Sequence, residues 1–272
     1  MNHKETMRPA RQRTRAGGPS GALTTPSAGP ESHGDIEKSV VRRRSKNRRA
    51  GALLSTVGLK LGMAISGALF IAFLLAHMYG NLKAFNGHSA YNSYAEHIRE
   101  IGEPLVPYGG LLWLLRIGLA LALVVHVSAA VALWRRAQRA RPVAYVHRPR
   151  RTSTLSSRTM RWGGVSILIF LVWHLANFTI GKVNVTGGTT DDPYVLLVDT
   201  FRTWWLTLIY LLALAALAMH LWHGTWSAAQ TLGLTNTGRA RFVAQLIAAA
   251  NATVVVGGFS LSPIFIMVGV IR

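Results

Sequence analysis

Five of the ten histidines in this sequence stand within or at the ends of its most apolar segments. In the stretch "AMHLWHGTWSAAQTLGL", two of them lie one helical turn apart at the end of about twenty apolar residues. An imidazole at such a place can bind a transition metal, relay a proton or form a hydrogen bond. Polar groups at membrane depth are costly and usually functional. The five are His77, His126, His174, His220 and His223.

The segments that carry these histidines have the length of membrane-spanning helices. Each could cross a hydrocarbon core of about 30 Å at about 1.5 Å per residue. We therefore predict an all-α integral membrane protein with five transmembrane helices in a bundle. The apolar runs cover about residues 57–78, 108–134, 163–180, 204–222 and 242–271.

The charged residues sort by connection, within a chain of formal net charge +20. The segment before the first span has 12 Lys/Arg against 4 acids, and the second connection has nine Arg and no acid. The first and third connections each have two Lys/Arg and three Asp/Glu. The positive-inside bias therefore predicts a cytoplasmic N-terminus and an extracytoplasmic C-terminus. Sorting by loop also argues against a basic nucleic-acid-binding domain.

The first 52 residues differ in composition from the transmembrane domain at 53–272. They are rich in Pro, Gly, Ser and Arg and have almost no apolar periodicity, which predicts a mostly disordered cytoplasmic tail. Its run "RRRSKNRR" is expected to contact anionic lipid or an acidic partner surface. The chain has no cysteine, which excludes a disulfide framework and an all-cysteine iron–sulfur site built by this chain alone.

The heights of the histidines in the predicted bundle follow from the alternating direction of the spans. His77 ends the outward-going first span and His174 lies beyond the middle of the third, so both fall in the outer half. His126 and His220 lie deep in the inward-going second and fourth spans, so both fall in the inner half. Four helices thus offer two histidine pairs at two depths.

Two such pairs are what two stacked haems with two axial imidazoles each would require, one imidazole on each face of the iron. Together the haems would conduct electrons across the membrane. Mononuclear zinc or copper is disfavoured because no span has the clustered His, Cys and carboxylate ligands that these metals prefer. Only His220 and His223 share a helix face closely enough to chelate one ion together.

Two motifs resemble one known family. "STVGLKLGMAISGALFIAFLLAHMYGNLKAFNGHSAYNSYAEHI" resembles the opening of the five-helix, single-anchor type of cytochrome b membrane anchor in bacterial succinate dehydrogenase and fumarate reductase, complex II. "HLWHGTWSAAQTLGL" is similar to the fourth helix of that family. In its dihaem members the first and third spans hold the outer haem, and the second and fourth hold the inner one. The resemblance therefore implies His77 and His174 as outer ligands, and His126 with His220 or His223 as inner ligands.

The resemblance covers about residue 55 to the C-terminus, and it implies an anchor that passes electrons between a cytoplasmic iron–sulfur subunit and membrane quinone, menaquinone in particular. The implied partners are the flavoprotein and iron–sulfur subunits, and the implied location is the bacterial inner (plasma) membrane. The dicarboxylate site would lie on another subunit, because this chain has no GxGxxG motif beside a strand–helix unit and no soluble domain of catalytic size. Related anchors carry two haems b, one or none, and a His-ligated iron–sulfur centre is a further alternative.

Other polar residues are candidates for contact with haem or quinone. Arg116, inside the second span, is expected either to snorkel to the interface or to pair with a haem propionate or quinone oxygen. A quinone site needs a proton donor near an interface, and the cytoplasmic side is favoured because electrons arrive there. The cytoplasmic candidates are Trp226, Ser227, Gln230, Arg161 and Trp162, and the outer ones are Tyr94, Glu96, His97 and Glu100.

Two alternative functions stay open at this point. One is the cytochrome b anchor of another quinone-linked oxidoreductase, such as a formate dehydrogenase or a hydrogenase. The other is a haem-free membrane transporter or scaffold in which the histidines relay protons. The second alternative predicts broken helices, for which "GGFSLSP" in the fifth span is the candidate. The oligomeric state and the direction of turnover are likewise left open.

Overall fold

The computed structural model describes residues 55–140, 155–180, 183–184 and 188–272. The predicted tail at 1–52 and the middle of the basic second connection lie outside these residues. The described part is helical apart from one pair of two-residue antiparallel strands, Val183–Asn184 and Gly188–Thr189.

Within the described ranges, five helices are long and apolar enough to cross a membrane. They confirm the predicted all-helical class with five spans. The helices are α1 (Thr56–Leu82), α2 (Gly87–Glu100), α3 (Gly110–Arg139), α4 (Leu155–Leu175), α5 (Pro193–Arg202), α6 (Trp204–Thr231) and α7 (Gly238–Met267), of which α1, α3, α4, α6 and α7 are the spanning ones.

The helix ends are set by local capping chemistry. The side chain of Ser55 accepts a hydrogen bond from the Gly58 amide at 3.0 Å, and Thr237 does the same for Ala240 at 3.1 Å. Gly233, just after α6, has a φ of 74°, which suits a glycine. The helices extend beyond most of the predicted runs because hydropathy marks the hydrocarbon layer, whereas backbone hydrogen bonding continues until a cap ends it.

Side-chain contacts fix the direction of α3 and α7 relative to α1. The Arg136 guanidinium donates to the Thr56 hydroxyl at 3.2 Å, and Ser66, ten residues later on α1, contacts His126, ten residues earlier on α3. α3 is therefore antiparallel to α1. Against α7, Met78 packs on Gly258, and the Ser262 hydroxyl donates to the Asn81 carbonyl at 3.2 Å. Residue numbers increase in the same direction along both helices, from Met78–Gly258 to Asn81–Ser262, so α1 and α7 are parallel.

The contacts of α6 complete the arrangement. Gly163 faces Ala216 and His174 faces Tyr210, which makes α4 antiparallel to α6. Tyr210 shares a core cluster with Ile266, and Asn251 donates to the Thr225 hydroxyl at 3.1 Å, so α7 is antiparallel to α6 as well. The predicted alternation of directions is therefore confirmed.

The segment before the fourth span is a helix that is not continuous with that span. It forms a separate helix, α5, because the extended backbone of Thr203 separates it from α6. Most of its buried side chains join the main core cluster, which also contains Tyr210 of α6 and Ile266 of α7. Hydropathy alone cannot separate a lipid-facing residue from one buried against protein. The buried apolar side chains of α5 are Tyr194, Leu196, Leu197, Val198 and Phe201.

The outer surfaces of the spanning helices are apolar. Each helix presents large exposed side chains, including Ile65, Leu121, Ile169, Leu212 and Leu246. An apolar surface of this extent would be unfavourable in water, whereas lipid solvates it. The chain is a multi-pass membrane protein by this measure.

Removal of the carboxylate that starts α5 is expected to destabilise the protein. Asp192 accepts hydrogen bonds from the Tyr194 and Val195 amides at 2.9 and 3.0 Å, and its other oxygen lies 2.6 Å from Nε2 of His88. Asp192→Ala should lower the free energy of unfolding by about 1 kcal/mol, since the helix loses its N-cap. Asp192→Asn, whose side-chain oxygen can still cap the helix, should lower the free energy of unfolding by less. Thermal unfolding of the two variants in the same detergent measures the difference, and equal loss would contradict the capping role.

The same carboxylate makes stability depend on pH. Desolvation raises the pKa of Asp192, but hydrogen bonds from the Val195 amide, Asn92 and His88 outweigh it and lower the pKa from 3.8 to about 2. A carboxyl with a lowered folded pKa stabilises the fold above its unfolded pKa and loses that effect as pH falls through the folded value. The stability advantage of the wild type over Asp192→Asn should therefore shrink between about pH 4 and pH 2. Unfolding midpoints across that range would show it.

Candidate functional site: two histidine pairs in one cavity

A large, partly open cavity of 2720 Å³ lies among the spanning helices. Ordinary small-molecule pockets occupy about 300–1,000 Å³, so the space exceeds what one small ligand requires. All five membrane-depth histidines line it: His77, His126, His174, His220 and His223.

The structure brings four of these histidines together in pairs. The ring centroids of His77 and His174 are 5.9 Å apart, and those of His126 and His220 are 6.2 Å apart. Each ring comes from a different helix. These are the pairs that the heights along the spans predict. His223, one turn beyond His220 on α6, is half-buried and lines the same cavity.

The two pairs lie at separate levels along the bundle. On α1, Ser66 contacts His126 and lies 11 residues before His77, which is about 16 Å of helix. On α6, Tyr210 contacts His174 and lies 10 residues before His220, which is about 15 Å. The two helices give the same spacing, so the levels are about 15–16 Å apart.

The spacing within each pair suits two imidazoles on opposite sides of one metal ion. A metal–imidazole bond of about 2.0–2.1 Å, with the ring centroid roughly 1.1 Å beyond the nitrogen, places the two centroids about 6.2–6.4 Å apart. The His126–His220 distance of 6.2 Å lies at that value, and the His77–His174 distance of 5.9 Å is slightly shorter. Each pair therefore has about the centroid spacing that a metal ion between the two rings would require.

The number of available ligands narrows the kind of metal group. Among the residues that the structure describes, no group of three or more His, Cys, Asp or Glu side chains could hold a metal ion. An iron–sulfur cluster takes four protein ligands, whereas a haem supplies its own equatorial nitrogens and needs only the axial ones. Two isolated imidazole pairs fit the second requirement.

Aromatic rings surround the His77–His174 pair. Phe73 stacks on His77 at 5.3 Å between centroids, and Phe259 contacts the same ring at 5.5 Å. Phe170 and Phe178 lie 5.8 and 5.4 Å from His174. These rings give the pair an apolar surround and restrict the orientation of both imidazoles.

A local irregularity of the backbone follows His174. The chain leaves the α-helix and forms a π-helical turn over Ala176–Ile180, a feature that is frequent at functional sites. It accompanies a fully buried Asn177, whose Oδ1 atom has no hydrogen-bond partner among the described residues. The Tyr210 hydroxyl lies 3.4 Å from Nδ1 of His174.

Two glycines face the rings of the His126–His220 pair. A β-carbon at Gly67 would lie 3.7 Å from Cε1 of His126, and one at Gly164 would lie 3.6 Å from Cε1 of His220. The Ser66 hydroxyl lies 3.1 Å from Nδ1 of His126. By contrast, Nδ1 of His220 is buried and has no partner in the described part of the chain.

Arg116 lies at the cavity wall near the start of α3. Its side chain is exposed, and its guanidinium lies 5.0 Å from the centroid of the Trp113 ring. Both the snorkelling position and a contact with a group in the cavity are compatible with this placement, so its role stays a prediction.

The structure separates the quinone candidates. Arg161, Trp162 and Ser227 line the cavity together with His223, whereas Trp226 and Gln230, on the same stretch of α6, are not part of its described wall. The latter two stay predictions without a contact to the site.

At the other end of the bundle, Tyr94 lines the cavity, and the acidic candidates are held elsewhere. Glu96 accepts a hydrogen bond of 2.6 Å from the Tyr108 hydroxyl, a bond that raises the pKa of Tyr108. Glu100 lies 3.9 Å from Nδ1 of His97, and both side chains are exposed.

The hydroxyl groups beside the histidines, those of Ser66 and Tyr210, and the buried Asn177 were not predicted from the sequence. A serine in the apolar run "AISGAL" is a weak signal, because small residues also occur in transmembrane helices for packing alone. Which residue of α1 or α6 faces an imidazole depends on the rotation of helices, which the sequence does not specify.

Comparisons of this chain with protein-family models, with curated proteins and with solved structures found no match. The functional assignment therefore depends on the residues and their geometry.

Loss of the Tyr210 hydroxyl is expected to destabilise the cavity wall. Tyr210 is buried, and its hydroxyl faces His174 from another helix. Tyr210→Phe should lower the free energy of unfolding by about 1–3 kcal/mol, because it removes the hydroxyl partner of the half-buried His174 and of the buried Asn177. Tyr79→Phe, on an exposed tyrosine of α1, is the matched control and should be neutral. Equal unfolding midpoints for the two variants would show that the 3.4 Å contact contributes nothing.

Proposed function

We propose that this chain is the membrane anchor and electron-transfer subunit of a bacterial succinate:quinone oxidoreductase, with one haem b held by His77 and His174 and a second by His126 and His220. The observation that carries the proposal is the pairing itself: four imidazoles from four different helices form two pairs, at two levels, in one cavity. The resemblance of the first and fourth spans to complex II anchors supplies the choice of enzyme.

The chemistry expected from the bound groups is one-electron oxidation and reduction of the haem iron. His77 with His174, and His126 with His220, would hold the two haem irons, and Phe73, Phe170, Phe178 and Phe259 contact the imidazoles of the first pair. The two levels, about 15–16 Å apart, span half of a hydrocarbon core of about 30 Å. Two redox groups at these levels would connect the two sides of the membrane.

His220 is the better candidate than His223 for the second ligand of its pair. The His220 ring lies 6.2 Å from His126, and among the described residues no ring contact of this kind is found for His223. His223 instead lines the cavity near Arg161, Trp162 and Ser227. This is the position of a group that could contact a quinone, menaquinone in particular, beside the second haem.

The distribution of charge supports a cytoplasmic location for the His126–His220 end. Five arginines lie on the flanks of the bundle there, at the C-terminal end of α3 and the N-terminal end of α7, whereas Glu96, Glu100 and Asp192 lie at the opposite end. The positive-inside bias assigns the arginine end to the cytoplasm, where it offers a docking surface for an iron–sulfur subunit. The arginines are Arg135, Arg136, Arg139, Arg239 and Arg241.

The continuity of α7 favours this function over a transporter. A transporter of the broken-helix kind requires an unwound segment near the middle of the membrane. α7 is helical without interruption from Gly238 to Met267, and Pro263 lies inside it.

The test is a reduced-minus-oxidised visible spectrum with a haem count per copy of this chain, on the complex purified through a tag on this chain. We expect two b-type haems, and flavoprotein and iron–sulfur subunits that copurify and oxidise succinate. Intact succinate–quinone activity without haem would overturn the cofactor assignment. Electron paramagnetic resonance would then look for a His-ligated iron–sulfur centre.

Single substitutions should remove the haems selectively. His77→Ala and His174→Ala should each lose one and the same spectral component, and His126→Ala and His220→Ala the other. His223→Ala and His97→Ala are matched controls and should keep both, since His223 is outside the pairs and the His97 side chain is exposed. Loss of a haem in His223→Ala, with none lost in His220→Ala, would reverse the choice between these neighbours.

A further inference from the structure

Ser66 of α1 is in contact with His126 although its helix provides neither ring of the His126–His220 pair. The Ser66 side chain is buried, with only 4% of the residue exposed. Its Oγ atom lies 2.8 Å from the Gly62 carbonyl oxygen, 3.2 Å from that of Met63 and 3.1 Å from Nδ1 of His126. Three polar atoms therefore surround one hydroxyl group in an apolar interior.

The directions of these hydrogen bonds follow from what each atom can do. A serine hydroxyl has one proton and two lone pairs, and a carbonyl oxygen can only accept. The proton of Ser66 therefore points to the backbone, where Gly62 O is the nearer acceptor at 2.8 Å. The Oγ atom is left as an acceptor for the imidazole, so Nδ1 of His126 must carry a proton and donate it.

The assignment of that proton determines the other nitrogen of the ring. A neutral imidazole protonated on Nδ1 has its lone pair on Nε2, and a metal binds through the lone pair. We propose that Ser66 is a positioning residue: it fixes His126 in the Nδ1-protonated form, so that Nε2 is available to the iron of the haem shared with His220. The assignment rests on the proposed function for the identity of the metal group and on the hydrogen bonds alone for the form of the ring.

The two rings of the pair are not equivalent. His126 is held by a hydroxyl group, whereas Nδ1 of His220 has no partner among the described residues. Gly67, next to Ser66, also faces the His126 ring, since a β-carbon there would lie in ordinary van der Waals contact with Cε1, at 3.7 Å. α1 thus contributes to both levels, through His77 directly and through Ser66 indirectly.

Loss of the hydroxyl should weaken the metal site without removing a ligand. In Ser66→Ala, His126 loses the Ser66 oxygen as a partner and retains its hydrogen bond to the Met63 backbone, so the ring is held by one group instead of two and can rotate or take the other neutral form. Hydrogen-bonding partners of this kind typically change metal affinity by about 10–100-fold. The bond also makes the imidazole a more basic ligand, which favours oxidised iron. Its removal should therefore raise the reduction potential of this one haem.

The experiment compares the whole complex with wild-type chain, with Ser66→Ala and with Ser260→Ala. Ser260 is the matched control because its hydroxyl donates to the Val256 carbonyl four residues earlier, at 2.7 Å, as Ser66 does to Gly62. In Ser66→Ala we expect one haem to be lost about 10–100-fold more readily to an excess of a haem scavenger. In a spectroscopic redox titration, the retained fraction of that haem should shift to higher potential, while the other haem stays unchanged. Ser260→Ala should match the wild type.

A second measurement does not depend on haem. Nitrogen-15 nuclear magnetic resonance of the histidine-labelled full chain, produced without haem, distinguishes protonated from unprotonated ring nitrogens, and His126→Gln identifies the signals. We expect Nδ1 of His126 to be protonated in the wild type and in Ser260→Ala, and a mixture of forms in Ser66→Ala. A proton on Nε2 in the wild type overturns the assignment, as does a Ser66→Ala complex with unchanged haem affinity and potential. If the wild type binds no haem, the proposed cofactor fails, and the resonance experiment alone decides whether Ser66 fixes the ring.

Discussion

The packing of imidazole rings in an apolar interior is the constraint on which the rest of the bundle depends. Each ring has two polar nitrogens, and neither lipid tails nor hydrocarbon side chains can form hydrogen bonds with them. The protein meets this requirement with few groups, namely Ser66 at His126 and Tyr210 at His174. Each hydroxyl group comes from a helix other than the one that carries the imidazole.

The arrangement of the helices follows from this requirement. α1 contacts α3 through Ser66 and α7 through Asn81, and so it is shared by both levels of the cavity. α5, which crosses no membrane, fills the space beside the His174 level with buried apolar side chains. The inward-facing residues thus give the bundle of five spans two separate levels, each with one pair of histidines.

Much of the fold could be predicted from the sequence because its signals are local. Apolar length gives the spans, and a constant rise per residue with alternating directions places His77 with His174 and His126 with His220. The separate helix α5 could not be predicted, since its apolar residues look like the start of the next span until Thr203 interrupts the helix. The contact of Ser66 with His126 and the π-helical turn after His174 could not be predicted, because each depends on how the helices rotate and pack against one another.

The close contact of α1 with α7 links the chemistry of one methionine to the histidine beside it in sequence. The Met78 side chain occupies the place that a β-carbon of residue 258 would take, so the thioether has no spare room against Gly258. Oxidation to the sulfoxide adds an oxygen atom and makes the side chain polar. That oxygen would force α1 away from α7 at the level of His77. Oxidation of this sulfur would therefore displace the His77–His174 pair before the other pair. Reversal would require a sulfoxide reductase.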